Sequence, residues 1–271
     1  MKPIVTFVLL GVFIVSAIAR GESSAVEIPV SYDDILALES PEPARIIPYG
    51  GSPLQTLSYY PAPNEAVADI VLIHGGCWSA DYDRDHARPL AGALQDAGFD
   101  VWLPEYRRVG DTGGGWPGSW QDVVAALKKV VAARDADRPM IAVGHSAGGH
   151  LALLAATRKD LPLAHVVGLA PITDLVAYGQ GDNSCQTMTS RFMGGGPDAV
   201  DSRAASPSAQ ALHIPTSIIQ GAADPIVPPA QARAVSGAAV VEVPSAGHFD
   251  LIHPGTAALP VLLRVLGEVA R

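Results

Sequence analysis

Charged side chains are scarce in this chain, and most of those present are acidic. Asp, Glu, Lys and Arg make up 17% of the 271 residues, and the formal net charge is −9. No run of Lys and Arg occurs anywhere in the sequence. Because a nucleic-acid partner needs clustered basic side chains to neutralise its phosphates, this composition argues against such a partner. A hydrophobic content of 48% instead predicts a well-packed globular protein.

Cysteine is also rare, with one residue at position 77 and one at position 185. Two cysteines cannot build a disulfide scaffold, and these two lack the spacing of metal ligands. The sequence therefore implies neither a metal nor an organic cofactor. Whether Cys77 and Cys185 form one bridge or remain two separate thiols stays open at this point.

No apolar run reaches the roughly 20 residues that a membrane-spanning helix requires. The longest run, residues 4–18, follows Lys2 and ends at an Ala-Ile-Ala tripeptide, residues 17–19. This is the layout of a secretory signal peptide, with an uncleaved anchor as the alternative. We therefore expect removal of residues 1–19, a periplasmic or secreted location, and no stable membrane insertion of the mature chain. Residues 20–271 are of a length suited to one domain; the sequence does not indicate its oligomeric state.

From residue 68 onward, short apolar segments alternate with segments of helical periodicity. The segments predicted as strands are 68–73, 99–103, 140–143, 166–169, 217–219 and 239–243. The segments predicted as helices are 88–97, 120–133, 147–157 and 257–269. Together with edge strands within 45–47 and 54–60, this pattern predicts an α/β fold whose central sheet of about eight strands is mostly parallel and flanked by helices. Residues 175–208 interrupt the alternation and predict a small cap, helical around residues 187–193.

Residues 144–148, Gly-His-Ser-Ala-Gly, lie between a predicted strand and a predicted helix. In this context the G-x-S-x-G pattern forms a sharp elbow that exposes its serine hydroxyl. The alternative is a serine that caps a helix. The strand and helix on either side favour Ser146 as a nucleophile.

A serine hydroxyl needs a histidine base, and the histidine needs an orienting carboxylate. In enzymes built on a serine elbow, the carboxylate and then the histidine follow the serine along the chain. Asp224 follows the predicted strand at 217–219, and His248 follows the strand at 239–243. We prefer Asp224 over Asp174 and Asp250, and His248 over His253, because these two residues lie at strand ends in the required order.

The charged intermediate of such a reaction needs backbone N–H donors. Ala147 follows the nucleophile and supplies one donor. Gly76 and Cys77, in the glycine-containing loop after the strand at 68–73, supply the others. A simple glycine turn is the alternative for this loop. Trp78 and Trp116 are candidate walls of a substrate pocket, with a place in the core as the competing interpretation.

Taken together, these segments resemble the α/β-hydrolase superfamily. The resemblance is closest to the branch of hormone-sensitive-lipase-like esterases, kynurenine formamidases and bacterial feruloyl-esterase-like proteins. The matching segments are residues 74–78, 104–108, 144–150, 194–197, 205–207, 221–228 and 247–248. The resemblance implies an α/β-hydrolase fold over about residues 65–270, a bracing role for residues 106–108, and a loop-holding role for His74.

One residue departs from the lipase-like pattern, because Cys77 stands where those esterases usually have a third glycine. A backbone donor does not depend on its side chain, so the predicted oxyanion hole survives the change.

The sequence thus predicts a serine hydrolase that cleaves carboxylic esters of small molecules through an acyl-enzyme. An arylformamidase, or another amide or peptide hydrolase, is the alternative within the enzymes. A non-catalytic binding protein of the same fold is the third hypothesis, and retention of every expected catalytic residue argues against it.

Overall fold

The computed structural model describes residue 1, residues 29–195 and residues 200–271. Its centre is one eight-stranded sheet with the strand order β1-β2-β4-β3-β5-β6-β7-β8. The strands are β1 Arg45–Pro48, β2 Thr56–Tyr60, β3 Asp69–Ile73, β4 Asp100–Pro104, β5 Met140–His145, β6 His165–Leu169, β7 Thr216–Gly221 and β8 Ala239–Val243. β1 and β2 pair antiparallel, as does β2 with β4, and every other pairing is parallel. The predicted mixed sheet of about eight strands is confirmed.

Helices pack on both faces of this sheet. They are α1 Tyr32–Leu36, α2 Arg88–Asp96, α3 Gly118–Ala133, α4 Ala147–Ala156, α5 Leu175–Tyr178, α6 Ser184–Phe192, α7 Val200–Ala204, α8 Pro229–Arg233 and α9 Ala258–Val269. All residues of β3, β4, β5 and α4 are buried. This burial explains why these strands read as continuous apolar segments instead of alternating ones.

Because β3, β5, β7 and β8 run parallel, the loops that follow them emerge at one edge of the sheet. That edge is where ligands bind in open α/β sheets. The topology therefore brings together loops that lie up to about 170 residues apart in the sequence, from Gly76 to His248.

The predicted cap is helical, and its longest helix, α6, coincides closely with the expected helix at residues 187–193. Gly196 and Pro197, which belong to one of the matching segments, lie outside the described residues. So does the predicted signal peptide, apart from Met1. Within the described part of the chain, no helix is long and apolar enough to cross a membrane.

The short helix α1 has no counterpart in the predicted elements. Ser31 caps it in a reciprocal capping box with Asp34, and Ile35 anchors it in the core at 1% exposure. Five residues are too few to give a periodic apolar signal, so the sequence pattern alone does not reveal this helix.

Candidate active site

Ser146 occupies the predicted elbow between β5 and α4. Its backbone has φ 56° and ψ −119°, a left-handed conformation that is strained for a residue with a side chain. The neighbouring glycine is sterically required, because a Cβ at Gly148 would collide with the carbonyl oxygens of Ile73 and His74. The elbow therefore fits tightly against β3, and it presents Ser146 to a cavity of about 190 Å³.

His248 lines the same cavity and is hydrogen-bonded to Asp224. Its Nδ1 lies 2.7 Å from Oδ2 of Asp224. Since a carboxylate only accepts, Nδ1 carries the proton and Nε2 is left as the basic nitrogen. Both side chains are buried, with relative exposures of 4% for His248 and 0% for Asp224.

The carboxylate of Asp224 is itself fixed by the backbone. Its Oδ1 accepts hydrogen bonds from the N–H groups of Ile226 at 2.8 Å and Val227 at 2.9 Å. Oδ2 therefore remains for the histidine, and the tight turn after β7 sets the direction of the whole pair.

His145, next to Ser146, is hydrogen-bonded to the loop that carries His248. Its Nε2 donates to the carbonyl oxygen of His248 at 3.1 Å. Complete burial, together with the nearby His248, lowers the pKa of His145 well below its ordinary value. The His145 ring is therefore neutral and acts as a structural donor.

The rival carboxylates have structural partners. Asp174 caps α5 by accepting from the Ala177 N–H at 3.0 Å. Asp250 accepts from the N–H groups of Val30 and Gly247, both at 3.0 Å. The structure thus brings Asp224, and neither rival, to the ring of His248.

The loop after β3, which contains two of the predicted oxyanion-hole donors, has an unusual backbone. Gly76, Cys77 and Trp78 have φ values of 94°, 53° and 56°, so three successive residues are left-handed. Gly76 and Cys77 line the cavity with Ser146. Among the described residues, no acceptor engages the N–H groups of Gly76, Cys77 or Ala147, which leaves all three donors available to a ligand.

A buried cluster of polar side chains supports this loop through hydrogen bonds. His74 Nδ1 donates to the carbonyl oxygen of Gly75 at 2.9 Å, and its Nε2 lies 3.0 Å from Glu105 Oε1. The Tyr106 hydroxyl donates to the carbonyl oxygen of His74 at 3.0 Å. Burial alone would raise the pKa of Glu105, but His74 and Arg108 outweigh it and hold the pKa at about 2. The expected bracing roles of His74 and Tyr106 are seen here.

The question of the two cysteines is answered by a disulfide between Cys77 and Cys185. Their Cα atoms lie 4.9 Å apart, across a sequence separation of 108 residues. The bond joins the loop after β3 to helix α6 of the cap, and both cysteines line the cavity. One covalent link therefore connects the proposed oxyanion hole to the cap.

The two predicted tryptophan walls require correction. Trp78 is fully buried, and its ring stacks on Phe192 with centroids 4.5 Å apart. The Trp116 ring makes an edge contact with Phe192, with centroids 6.3 Å apart. Neither residue lines the cavity at Ser146. Both tryptophans therefore pack against Phe192 of α6 and do not form a wall of the cavity.

Four residues with ring side chains line the cavity instead, and the sequence pattern did not indicate them: Tyr32, Tyr82, His86 and Phe249. We call this set the aromatic wall. Burial, with a smaller contribution from His74, lowers the pKa of His86 to about 3, so that its ring is neutral. These residues come from α1, from the loop and turn before α2, and from the residue after His248. No local pattern links them, although Phe249 lies beside the predicted base.

Among the described residues, no cluster of three His, Cys, Asp or Glu side chains could hold a metal ion.

Comparison with known proteins places this geometry in context. Residues 58–238 match the profile of the BD-FAE family. The chain is 29% identical to esterase LipQ of Mycobacterium tuberculosis over 225 residues, which cover 70% of this chain and 52% of that relative. The chain thus spans about half the length of this curated relative.

Solved structures give the same fold. Esterase B from Lactobacillus rhamnosis superposes with a TM-score of 0.71 at 22% identity, over 88% of this chain and 89% of that one. A truncated carbohydrate esterase from gut microbiota also has a TM-score of 0.71 at 22% identity, over 85% of this chain and 99% of that one. At these identities the likeness establishes the fold, and the predicted resemblance to α/β-hydrolases is confirmed.

Proposed function

The chain belongs to the BD-FAE family of the α/β-hydrolase superfamily, and on that premise we propose that it is a serine carboxylesterase with the triad Ser146, His248 and Asp224. One observation carries the proposal. The elbow serine and the Asp224-bound imidazole of His248 line the same cavity, beside backbone donors that no acceptor among the described residues engages.

The proposed reaction proceeds through an acyl-enzyme. His248 Nε2 takes the proton of Ser146 Oγ as that oxygen bonds to the ester carbonyl carbon. The N–H groups of Gly76, Cys77 and Ala147 donate to the resulting oxyanion, each worth roughly 3 kcal/mol. The C–O bond to the alcohol then breaks, and His248 returns the proton to the leaving oxygen. A water molecule deprotonated by His248 then attacks the acyl carbon. The bond from that carbon to Ser146 Oγ breaks, His248 returns the proton to Oγ, and the acid is released.

We propose esters, and not amides, as the substrates because the named relatives are esterases. Arylformamidase or peptidase activity remains the second candidate, since the same triad can cleave an amide. A panel of short acyl esters, N-formylkynurenine and dipeptide anilides separates the two. Higher kcat/KM for the formyl or peptide substrate would overturn the ester assignment.

We also propose that the mature protein acts outside the cytoplasm. The apolar run at residues 4–18 and its Ala-Ile-Ala end support this proposal. The disulfide adds support, because such bonds persist in oxidising compartments. Expression of the full chain in a bacterium, followed by fractionation and N-terminal sequencing, should give a periplasmic or secreted protein that begins near residue 20. An intact Met1 in the cytoplasmic fraction would contradict the proposal.

Replacement of the nucleophile tests the proposed activity. Ser146→Ala should reduce hydrolysis of p-nitrophenyl acetate to near the background rate, because residues 144–148 contain no other hydroxyl to form the acyl-enzyme. A matched control is Ser236→Ala, which alters an exposed serine outside the cavity and should leave turnover unchanged. Substantial turnover by Ser146→Ala with an intact fold would refute the assignment.

A further inference from the structure

Helix α1 lies outside the segment that matches the BD-FAE family, yet it contributes a ring to the cavity. The match begins at residue 58, whereas Tyr32 lines the cavity with Ser146 and His248. This part of the wall is therefore supplied by a segment that precedes the family's shared region.

The position of α1 is fixed by contacts on either side of Tyr32. Ile35 is buried in the core, and Ser31 and Asp34 close the start of the helix. Asp250 Oδ2 accepts from the Val30 N–H and from the Gly247 N–H, both at 3.0 Å. The Asp250 carboxylate thus joins the segment before α1 to the loop that carries His248.

The ring of Tyr32 completes the aromatic wall. Its centroid lies 5.4 Å from that of Tyr82, 5.6 Å from that of Phe249 and 5.8 Å from that of His86. The contact with Tyr82 is edge-to-face, with an interplanar angle of 88°. These contacts hold the ring against three neighbours on the cavity side.

The hydroxyl of Tyr32 makes no hydrogen bond to any described residue. Burial, with a further contribution from Asp83, raises the pKa of Tyr32, so the side chain is uncharged at neutral pH. The side chain therefore acts through the space that its ring fills and not through charge or a fixed polar contact.

We propose that Tyr32 is a specificity-determining residue that limits the size of the ester group lying against the aromatic wall. The proposal rests on the esterase function proposed above. In a cavity of about 190 Å³, removal of one ring enlarges the available space substantially. Longer or bulkier ester groups should then fit better than they do in the parent protein.

The test measures kcat/KM over two substrate series in the mature protein. One series is p-nitrophenyl esters with acyl chains of increasing length, and the other is acetates of alcohols of increasing size. In Tyr32→Ala, the kcat/KM for the largest substrate divided by that for the smallest should rise about tenfold or more in at least one series. Tenfold is the lower end of the discrimination that a pocket achieves for one methylene group. Tyr32→Trp should lower the same ratio.

Two controls separate size from other effects. Tyr32→Phe keeps the ring and should retain the parent's profile. Leu36→Ala changes an exposed residue of the same helix, outside the cavity, and should also retain it. If Tyr32→Ala fails to fold, as judged by its melting temperature, Tyr32→Leu and Tyr32→Trp provide the comparison.

The outcomes distinguish the two proposals. An active parent protein whose ratios in both series are unchanged by Tyr32→Ala overturns the role of Tyr32 and leaves the esterase function intact. A parent protein that hydrolyses no ester in either series overturns the esterase function and the role of Tyr32 with it.

Discussion

Asp224 is the residue on which the orientation of the proposed base depends. Two backbone N–H groups hold one of its oxygens, and the other oxygen meets His248 Nδ1 at 2.7 Å. An asparagine at this position would present a donor or a weaker acceptor to the ring. The ring would then lose its favoured tautomer, and the imidazolium that forms during catalysis would lose its counter-charge.

Asp224→Asn should therefore lower kcat for a short ester by roughly 10³–10⁴-fold, while the fold is retained. The measurement is steady-state kinetics, with circular dichroism to check the fold. Asp174→Asn is the control, since Asp174 caps α5 and does not line the cavity. It should leave both stability and kcat close to the parent's, because asparagine caps a helix about as well as aspartate. A larger kcat loss in Asp174→Asn than in Asp224→Asn would reverse the assignment of the acid.

The residues of the proposed triad could be predicted because each lies in the loop or turn that follows a strand. Apolar strands and their ends are visible in the local sequence, and parallel pairing brings those ends together. Trp78 shows where this reasoning fails. Its neighbours suggest a cavity wall, but its ring lies in the core against Phe192, a long-range contact that composition does not reveal.

At the scale of elements, the disulfide makes the loop after β3 and helix α6 one unit. Three left-handed residues in succession are costly, and contacts elsewhere must hold them in place. The bond from Cys77 to Cys185 supplies one such constraint at the centre of the turn. The same bond closes a long loop, which restricts the unfolded chain.

The double variant Cys77→Ser with Cys185→Ser should lose about 2–4 kcal/mol of unfolding free energy. Its kcat should also fall, because the oxyanion donors are less well fixed. Dithiothreitol should lower the kcat of the parent protein to that of the double variant and should not affect the double variant. A parent protein that is fully reduced by thiol titration, yet unchanged in kcat and melting temperature, would contradict this role.

Helix α1 and the aromatic wall lay beyond sequence prediction for a related reason. Tyr32, Tyr82 and Phe249 come from three distant segments, and their proximity depends on long-range packing such as the link through Asp250. A short helix held by such contacts leaves no periodic signal of its own.

For the whole molecule, the buried histidines make stability depend on pH. Burial is the main reason that the pKa of His86 is about 3 and that of His150 is about 4. Burial is also the main reason that the pKa of His145 lies well below its ordinary value. In the unfolded chain these rings titrate near pH 6.5. Between those values the unfolded chain binds protons that the folded chain does not, so stability is full above about pH 6.5 and falls as the pH is lowered.

His86 and His150 should therefore each lower the unfolding free energy by about 2 kcal/mol between pH 6.5 and pH 5. Urea unfolding at several pH values measures this dependence. His150→Gln removes one titrating group and keeps a donor for the carbonyl oxygen of Ala205, so its stability should fall less steeply over the same range. Equal slopes for the parent protein and His150→Gln would refute the explanation.

The most direct test of the account as a whole is to find which residue reacts with a fluorophosphonate. Such a probe bonds to an activated serine and mimics the tetrahedral intermediate. Mass spectrometry of the labelled protein should place a single adduct on Ser146, and Ser146→Ala should remain unlabelled. An unlabelled parent protein, or an adduct on another residue, would contradict the proposal that Ser146 is the nucleophile.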